Sequence, residues 1–193
     1  MKVAAALFSL ALLAGAVHGA ETKFKSGVFE PPRAAPEFVL PSSQGADFKL
    51  SSTRGKVVVL EFGYTNCADV CPVSLASLAQ ARKAMGAAAK DVQVLFVTVD
   101  PARDTPALLK AYLSNFDPTF IGISGSEAQI AALLKSYGIS ATKKMVEGSK
   151  SAYTMHHSSY LYFIDRKGMQ RALMPFGRPP ADMVHDLNLL LQQ

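Results

Sequence analysis

Residues 57–72 of this chain read Val57-Val58-Val59-Leu60-Glu61-Phe62-Gly63-Tyr64-Thr65-Asn66-Cys67-Ala68-Asp69-Val70-Cys71-Pro72. The β-branched, apolar part up to Phe62 is typical of a strand buried inside a sheet. A polar turn follows, and the pattern beyond it predicts a helix from about Val70 to Met85 with Asp69 as its N-cap. The two cysteines therefore lie at the carboxyl end of a central strand, where open α/β sheets bind their ligands.

Strand-like and helix-like patterns alternate along the rest of the chain. They predict a hairpin over 38–50, strands over 57–62 and 92–99, a helix from Thr105-Pro106, a short strand over 120–123, a helix from Ser126 to Gly138, a hairpin over 159–174 and a helix over 181–191. This order predicts an α/β fold, a thioredoxin-like sandwich. We expect a central mixed sheet with helices on both faces and an N-terminal β-hairpin.

The N-terminus has the features of an export signal. Met1-Lys2 precedes an apolar run from Val3 to Val17, and small residues follow at Gly19 and Ala20. Residues 1–20 are therefore predicted to be a signal peptide or an uncleaved N-terminal anchor. We expect an exported protein, located in the periplasm and membrane-anchored if the N-terminal segment is retained. The proline-rich residues 21–36 predict a flexible linker, and residues 37–193 predict one thioredoxin-like domain.

Composition agrees with a single globular domain, because 49% of the residues are hydrophobic and 18% are charged. The formal net charge is +5. The basic residues are scattered and form no stripe interleaved with aromatic residues, so no nucleic-acid partner is expected. Contact with a membrane is expected only through an uncleaved N-terminus.

The cysteine pair has three chemical interpretations. Cys71 is predicted to lie in the first helical turn, where the helix dipole lowers the pKa of a thiol. A spacing of four lets the sulfurs of Cys67 and Cys71 form a disulfide or serve as two ligands of a metal. An exported protein favours a structural or redox-active disulfide, and two unpaired structural cysteines are a third possibility. With an added imidazole, soft sulfur ligands suit copper.

Two histidines are candidates for that imidazole. His18 belongs to the predicted leader, and His185 lies in the polar part of the last helix. His156 and His157 adjoin the strand predicted to begin at Ser159. Because neighbouring residues of an extended chain point to opposite sides, only one of the two is expected to reach the cysteines.

Three motifs resemble those of the Sco/SenC family of copper-binding assembly proteins, over nearly all of residues 37–190. The motifs are residues 62–72 quoted above, Val97-Thr98-Val99-Asp100-Pro101-Ala102-Arg103-Asp104-Thr105-Pro106, and His157-Ser158-Ser159-Tyr160. The resemblance implies a thioredoxin-like fold with Cys67, Cys71 and His157 as ligands of Cu(I) or Cu(II). The chain departs from the family at Ala68, where proline is usual, and at Asn66, where histidine is frequent.

The resemblance implies a metallochaperone that supplies copper to the CuA centre of cytochrome c oxidase subunit II, with another periplasmic copper chaperone or a thiol reductase as further partners. The alternative is a thiol-disulfide oxidoreductase that keeps the CuA cysteines, or other exported thiols, reduced. Cys67 and Cys71 would then be the catalytic, redox-active pair. Asp69 is either an N-cap or a group near the metal, and Asp100 and Asp104 are expected to shape a turn and a cap.

Overall fold

The computed structural model of the protein describes residues 23–193, in which ten strands and four α-helices are found. The strands are β1 (Gly27–Ala34), β2 (Val39–Pro41), β3 (Asp47–Lys49), β4 (Val57–Gly63), β5 (Val92–Thr98), β6 (Ile121–Ile123), β7 (Ala141–Met145), β8 (Tyr153–His157), β9 (Tyr160–Ile164) and β10 (Met169–Pro175). The helices are α1 (Val70–Met85), α2 (Pro106–Leu113), α3 (Glu127–Tyr137) and α4 (Pro180–Leu191).

Six of the strands form one mixed sheet in the order β1-β10-β9-β4-β5-β6. Strand β4 is buried along its whole length, runs parallel to β5 and antiparallel to β9, and so lies in the middle of the sheet. Its continuous apolar run is what a strand covered on both faces requires. The predicted mixed sheet is confirmed, and β2 pairs with β3 as the expected N-terminal hairpin.

Helices cover both faces of this sheet, as two neighbouring residues of β4 show. The ring of Phe62 packs against Tyr137 of α3, with 5.3 Å between ring centroids. The next residue, Gly63, faces α1, because a Cβ placed on it would lie 2.9 Å from the sulfur of Cys71. Successive residues of a strand point to opposite faces, so α1 and α3 lie on opposite sides. The thioredoxin-like α/β prediction is confirmed.

Most of the predicted helix ends are observed. The Thr105 side chain accepts a hydrogen bond from the backbone N–H of Leu108, and Ser126 forms a complete capping box with Gln129. Asp69 precedes α1 as predicted, but its side chain makes no capping hydrogen bond. The predicted N-cap interaction is therefore wrong, and the sulfur of Cys67 receives hydrogen bonds at this end of the helix, as described below.

Part of the predicted linker is a strand. Residues 21–36 were expected to be flexible, yet β1 within them pairs antiparallel with β10 at the edge of the large sheet. Nearly every side chain of β1 is exposed, so the strand has no apolar alternation that the sequence could reveal. Pro31 and Pro32 are tolerated because an edge strand has unpaired N–H positions, and the pairing register shifts between Val28 and Arg33.

A second hairpin, β7–β8, was not predicted. It precedes β9, and its strands pair with each other and with no strand of the large sheet in the described part of the chain. Its residues are mainly polar and exposed, which hides it from an argument based on apolar patterns. The hairpin matters for function because His157 is the last residue of β8, whereas the sequence predicted a strand only from Ser159 onward.

No helix within residues 23–193 has the length and apolar character needed to cross a membrane. The predicted leader, residues 1–20, lies outside the described residues.

Candidate metal site

The loop that carries Cys67 is hydrogen-bonded to the segment between β5 and α2. The backbone N–H of Thr65 donates to Asp104 at 3.0 Å, and the Thr65 hydroxyl donates to the same carboxylate at 2.6 Å. Asp104 is fully buried and also accepts a hydrogen bond from Thr98 of β5 at 2.7 Å. Asp104 therefore ties the cysteine loop to the central sheet, a role that its expected place in a turn did not reveal.

Cys67 is the cysteine with the stabilised thiolate. Its sulfur accepts hydrogen bonds from the thiol of Cys71 and from the backbone N–H groups of Cys71, Asp69 and Val70. These hydrogen bonds outweigh partial burial and lower the pKa of Cys67 to about 5. Cys67 is half-buried, so a thiolate at this position remains accessible at the surface.

Cys71 has the opposite character. Its side chain is fully buried, and its thiol donates a hydrogen bond to Cys67. That hydrogen bond and burial raise the pKa of Cys71 far above the ordinary thiol value. The sequence predicted a lowered pKa for Cys71, and this is wrong because its sulfur points inward from α1, away from the free N–H groups. Those groups stabilise Cys67 instead.

The imidazole of His157 lies beside Cys71. Its Nε2 is 3.7 Å from the Cys71 sulfur. Its Nδ1 is 2.9 Å from the carbonyl oxygen of Ser158, and because a carbonyl can only accept, Nδ1 carries the proton. In the neutral ring, Nε2 then presents a lone pair toward Cys71, which is the tautomer that a metal ligand needs.

The imidazole of His157 also contacts the ring of Tyr64. The two rings meet edge to face, with 6.0 Å between centroids and an interplanar angle of 86°. His156, the neighbouring candidate, is exposed on β8, whereas His157 is partly buried. The expected alternation of the two histidines is confirmed. His185 lies in α4, where its Nδ1 is 3.0 Å from the carboxylate of Asp186.

A buried carboxyl group lies beneath the site. Glu61 of β4 is 4% exposed, and its Oε2 has no hydrogen-bond partner. Burial raises the pKa of Glu61 to about 8, against a smaller opposing effect of a hydrogen bond with Ser74. A small cleft is lined by both Glu61 and His157. The sequence reasoning missed Glu61 because a single acid inside an apolar strand has no spacing that marks it.

The three predicted residues thus gather in one place and are suited to copper. Both cysteines are free, Cys67 is favoured as a thiolate, and the imidazole Nε2 of His157 lies 3.7 Å from the Cys71 sulfur. Soft sulfur with imidazole is a donor set typical of copper. Within residues 23–193 no group of three Cys, His, Asp or Glu side chains is arranged as a metal site, and the contact shown directly is that of Cys71 with His157.

Comparison with known proteins agrees with this geometry. A family model described as SCO1/SenC matches residues 28–192. The chain is 33% identical over 132 residues to a SCO2-like protein of Rickettsia felis, covering 68% of this chain and 64% of that protein. The chain therefore spans somewhat less than two thirds of the length of that relative.

Solved structures show the same fold. The structure of Bradyrhizobium japonicum ScoI with copper bound matches with a TM-score of 0.75 and 39% identity, covering 82% of this chain and 99% of that one. BsSco, described as a member of the Sco family of cytochrome c oxidase assembly proteins and as having a disulfide switch, matches with a TM-score of 0.66 and 22% identity, covering 89% and 99%. The second likeness concerns the fold alone. From its three motifs, its fold and the family match over residues 28–192, the chain belongs to the SCO1/SenC family.

Proposed function

We propose that this protein is a periplasmic copper metallochaperone that binds copper through Cys67, Cys71 and His157 and supplies it to the CuA centre of cytochrome c oxidase subunit II. The observation that carries the proposal is the contact of His157 Nε2 with the Cys71 sulfur at 3.7 Å. An imidazole brought to a cysteine from 86 residues away, with its tautomer set by Ser158, has no purpose in a structural disulfide. The copper-bound relative from Bradyrhizobium japonicum supports the choice of metal.

The two thiols differ in a way that suits loading and release. Cys67 is partly exposed and favoured as a thiolate, so copper can meet this sulfur first. Cys71 is buried and protonated, so it must lose its proton when the metal binds. With three ligands from this chain, the metal keeps an open position through which ligands of a partner can enter and take it. Transfer is then an exchange of ligands, with no change in oxidation state required.

A second function is favoured by the same difference between the thiols. A partly exposed thiolate at Cys67 next to a buried thiol at Cys71 is the arrangement of a nucleophilic and a resolving cysteine. Cys67 would attack a partner disulfide, and Cys71 would then displace the partner sulfur. The partner gains two electrons and two protons and becomes a dithiol, while Cys67 and Cys71 form a disulfide. This chemistry does not need His157.

Location follows from the predicted leader. The charged and apolar start of residues 1–20 supports export to the periplasm, with the anchor form as the alternative. An oxidising compartment makes the metal-free site prone to disulfide formation, so a thiol reductase is a fitting partner there.

The test measures copper transfer and disulfide reduction side by side. Wild type, His157→Ala and the matched control His156→Ala are loaded with copper and mixed anaerobically with a soluble CuA domain. The proposal expects transfer by wild type and His156→Ala, and little copper binding or transfer by His157→Ala. Reduction of an oxidised CuA domain should survive in His157→Ala. Full transfer by His157→Ala would refute His157 as a copper ligand. Disulfide reduction without copper transfer by wild type would refute the metallochaperone proposal and leave the oxidoreductase.

A further inference from the structure

The acidic residue that follows β5, Asp100, contacts the hairpin that carries His157. The hydroxyl of Tyr153, the first residue of β8, donates to Asp100 at 2.9 Å. Arg103 forms an ion pair with the other oxygen of the same carboxylate. The guanidinium of Arg103 also donates to the backbone carbonyl of Tyr153 at 3.1 Å. Asp100 and Arg103 therefore bind both the side chain and the backbone of Tyr153.

Arg103 also lies between the two halves of the site. Its guanidinium carbon is 3.7 Å from the ring centroid of Tyr153 and 5.8 Å from that of Tyr64. Tyr64 begins the cysteine loop and meets the ring of His157 edge to face. Contacts thus run without a break from Tyr153 through Arg103 and Tyr64 to His157. Cation–π contacts of this kind add to the ion pair, especially where water is partly excluded.

The hairpin needs such an attachment. A two-stranded hairpin is at best marginally stable by itself in water, and β7–β8 pairs with no strand of the large sheet among residues 23–193. At its base, the N–H of Ser158 donates to the carbonyl of Ser140 at 3.0 Å. Tyr153 and His157 are four residues apart and so point to the same side of β8, toward the body of the protein. Fixing Tyr153 fixes the strand that presents the imidazole.

Burial makes this attachment strong and directional. Asp100 is 4% exposed, and its backbone N–H is itself held by the Thr98 hydroxyl at 2.9 Å. A buried carboxylate is costly unless its oxygens are paired, so Tyr153 and Arg103 are both held in place by it. Asp100 is thus a fixed point on the central sheet from which the hairpin is held.

We propose that Asp100 and Arg103 are positioning residues that hold His157 beside Cys71 through Tyr153 and Tyr64, and thereby determine whether the imidazole takes part in copper binding. The inference rests on the proposed function for its consequence and adds residues to the same site. Asp104 positions the cysteine loop in the same way, through its hydrogen bonds with Thr65. One short segment after β5 therefore sets the relative positions of both halves of the site.

The test compares Asp100→Asn and Tyr153→Phe with the control Asp165→Asn. Asp165 is a similarly buried aspartate paired with an arginine, Arg171, in the turn between β9 and β10. Each purified protein is titrated with Cu(II), and its absorption and electron paramagnetic resonance spectra are recorded beside those of His157→Ala. We expect the two test variants to bind Cu(II) about tenfold more weakly, with spectra shifted toward that of His157→Ala. The control should keep the wild-type spectrum.

Amide hydrogen exchange in the copper-free proteins gives a readout independent of the metal. Exchange over β7–β8 should become faster in Asp100→Asn and Tyr153→Phe and stay unchanged in Asp165→Asn. Wild-type exchange and wild-type spectra in both test variants would overturn the inference. If wild type binds no copper, the proposed function fails, and the exchange data alone decide whether Asp100 positions the hairpin. Tyr153→Phe keeps the ring, so it remains informative if Asp100→Asn folds poorly.

Discussion

The sulfur of Cys67 accepts a hydrogen bond from the backbone N–H of Cys71 at 3.5 Å. The start of α1 therefore stabilises a thiolate on Cys67, which precedes the helix, and not on Cys71, which lies within it. The two cysteines consequently have opposite roles. Cys67 is the accessible thiolate, and Cys71 is the buried thiol that contacts His157.

This difference predicts the alkylation of the reduced protein. The pKa of Cys67 is lowered to about 5, so its reaction rate with iodoacetamide should rise with a midpoint near pH 5 and level off by pH 7. Cys71 should stay unmodified until the protein unfolds. In Cys71→Ala the largest stabilising hydrogen bond is lost, and the midpoint for Cys67 should move to higher pH. Equal labelling of both native cysteines at pH 7 would contradict this assignment.

The position of α1 and several helix ends could be predicted from sequence, because they depend on local signals. The helix over Val70–Met85, the capping box at Ser126 and the helix end at Gly138 all follow from residue types at fixed spacings. The central strand β4 could be predicted from its apolar run, which is typical of a strand covered on both faces of a sheet.

Other features depend on contacts between distant segments and leave no local signal. Strand β1 and the β7–β8 hairpin are exposed, so their residues show no apolar alternation. The direction of each cysteine sulfur depends on how α1 packs on Gly63, which decides that Cys71 is the buried one. The ligand set was named from family resemblance, while the tautomer of His157 and the attachment of Tyr153 to Asp100 appear only in three dimensions.

Gly63 is predicted to be needed for the packing of α1 against β4. A Cβ on this residue would lie 2.6 Å from the ring of Phe96 and 2.9 Å from the sulfur of Cys71. Gly63→Ala should therefore lower the free energy of unfolding by about 1–3 kcal/mol and displace Cys71. The control is Gly27→Ala, whose Cβ meets only a carbonyl oxygen at 3.6 Å. Denaturant unfolding measures both, and equal stabilities would argue against this close packing.

Asp104 should contribute strongly to stability. Asp104→Ala removes the acceptor of the Thr65 backbone N–H and of the Thr98 hydroxyl, and leaves the Thr65 hydroxyl with only Asn66 Oδ1 at 3.2 Å. We expect a loss of about 3 kcal/mol in the free energy of unfolding, because buried donors are costly to leave unpaired. Asp91→Ala, which removes only an exposed 3.8 Å ion pair with Arg166, should cost less than about 1 kcal/mol. Similar losses in thermal or denaturant unfolding would show that Asp104 is not the anchor described.

Because Glu61 is buried, we expect it to make the stability of the copper-free protein depend on pH. Its pKa is about 8 in the folded state against 4.5 for a free glutamate, so between these values the folded state keeps a proton that the unfolded state loses. The contribution of Glu61 to the free energy of unfolding should therefore fall as pH rises from 4.5 to 8, by an amount on the order of 5 kcal/mol. Cys67, whose pKa is lowered to about 5, contributes in the opposite direction as pH rises above 5. Glu61→Gln should remove the Glu61 contribution, so that the free energy of unfolding rises with pH above 5, whereas Glu147→Gln, at an exposed residue, should keep the wild-type pH dependence. A wild-type slope in Glu61→Gln would place the buried proton elsewhere.

X-ray absorption at the copper edge tests the central claim most directly, because it counts the sulfur and nitrogen atoms bound to the metal. For the anaerobically loaded protein, the account predicts two sulfur ligands and one imidazole nitrogen. His157→Ala should lose the nitrogen, and His156→Ala should retain it. A copper-loaded protein without an imidazole ligand, or one whose imidazole signal survives in His157→Ala, would contradict the assignment of Cys67, Cys71 and His157 as the copper site.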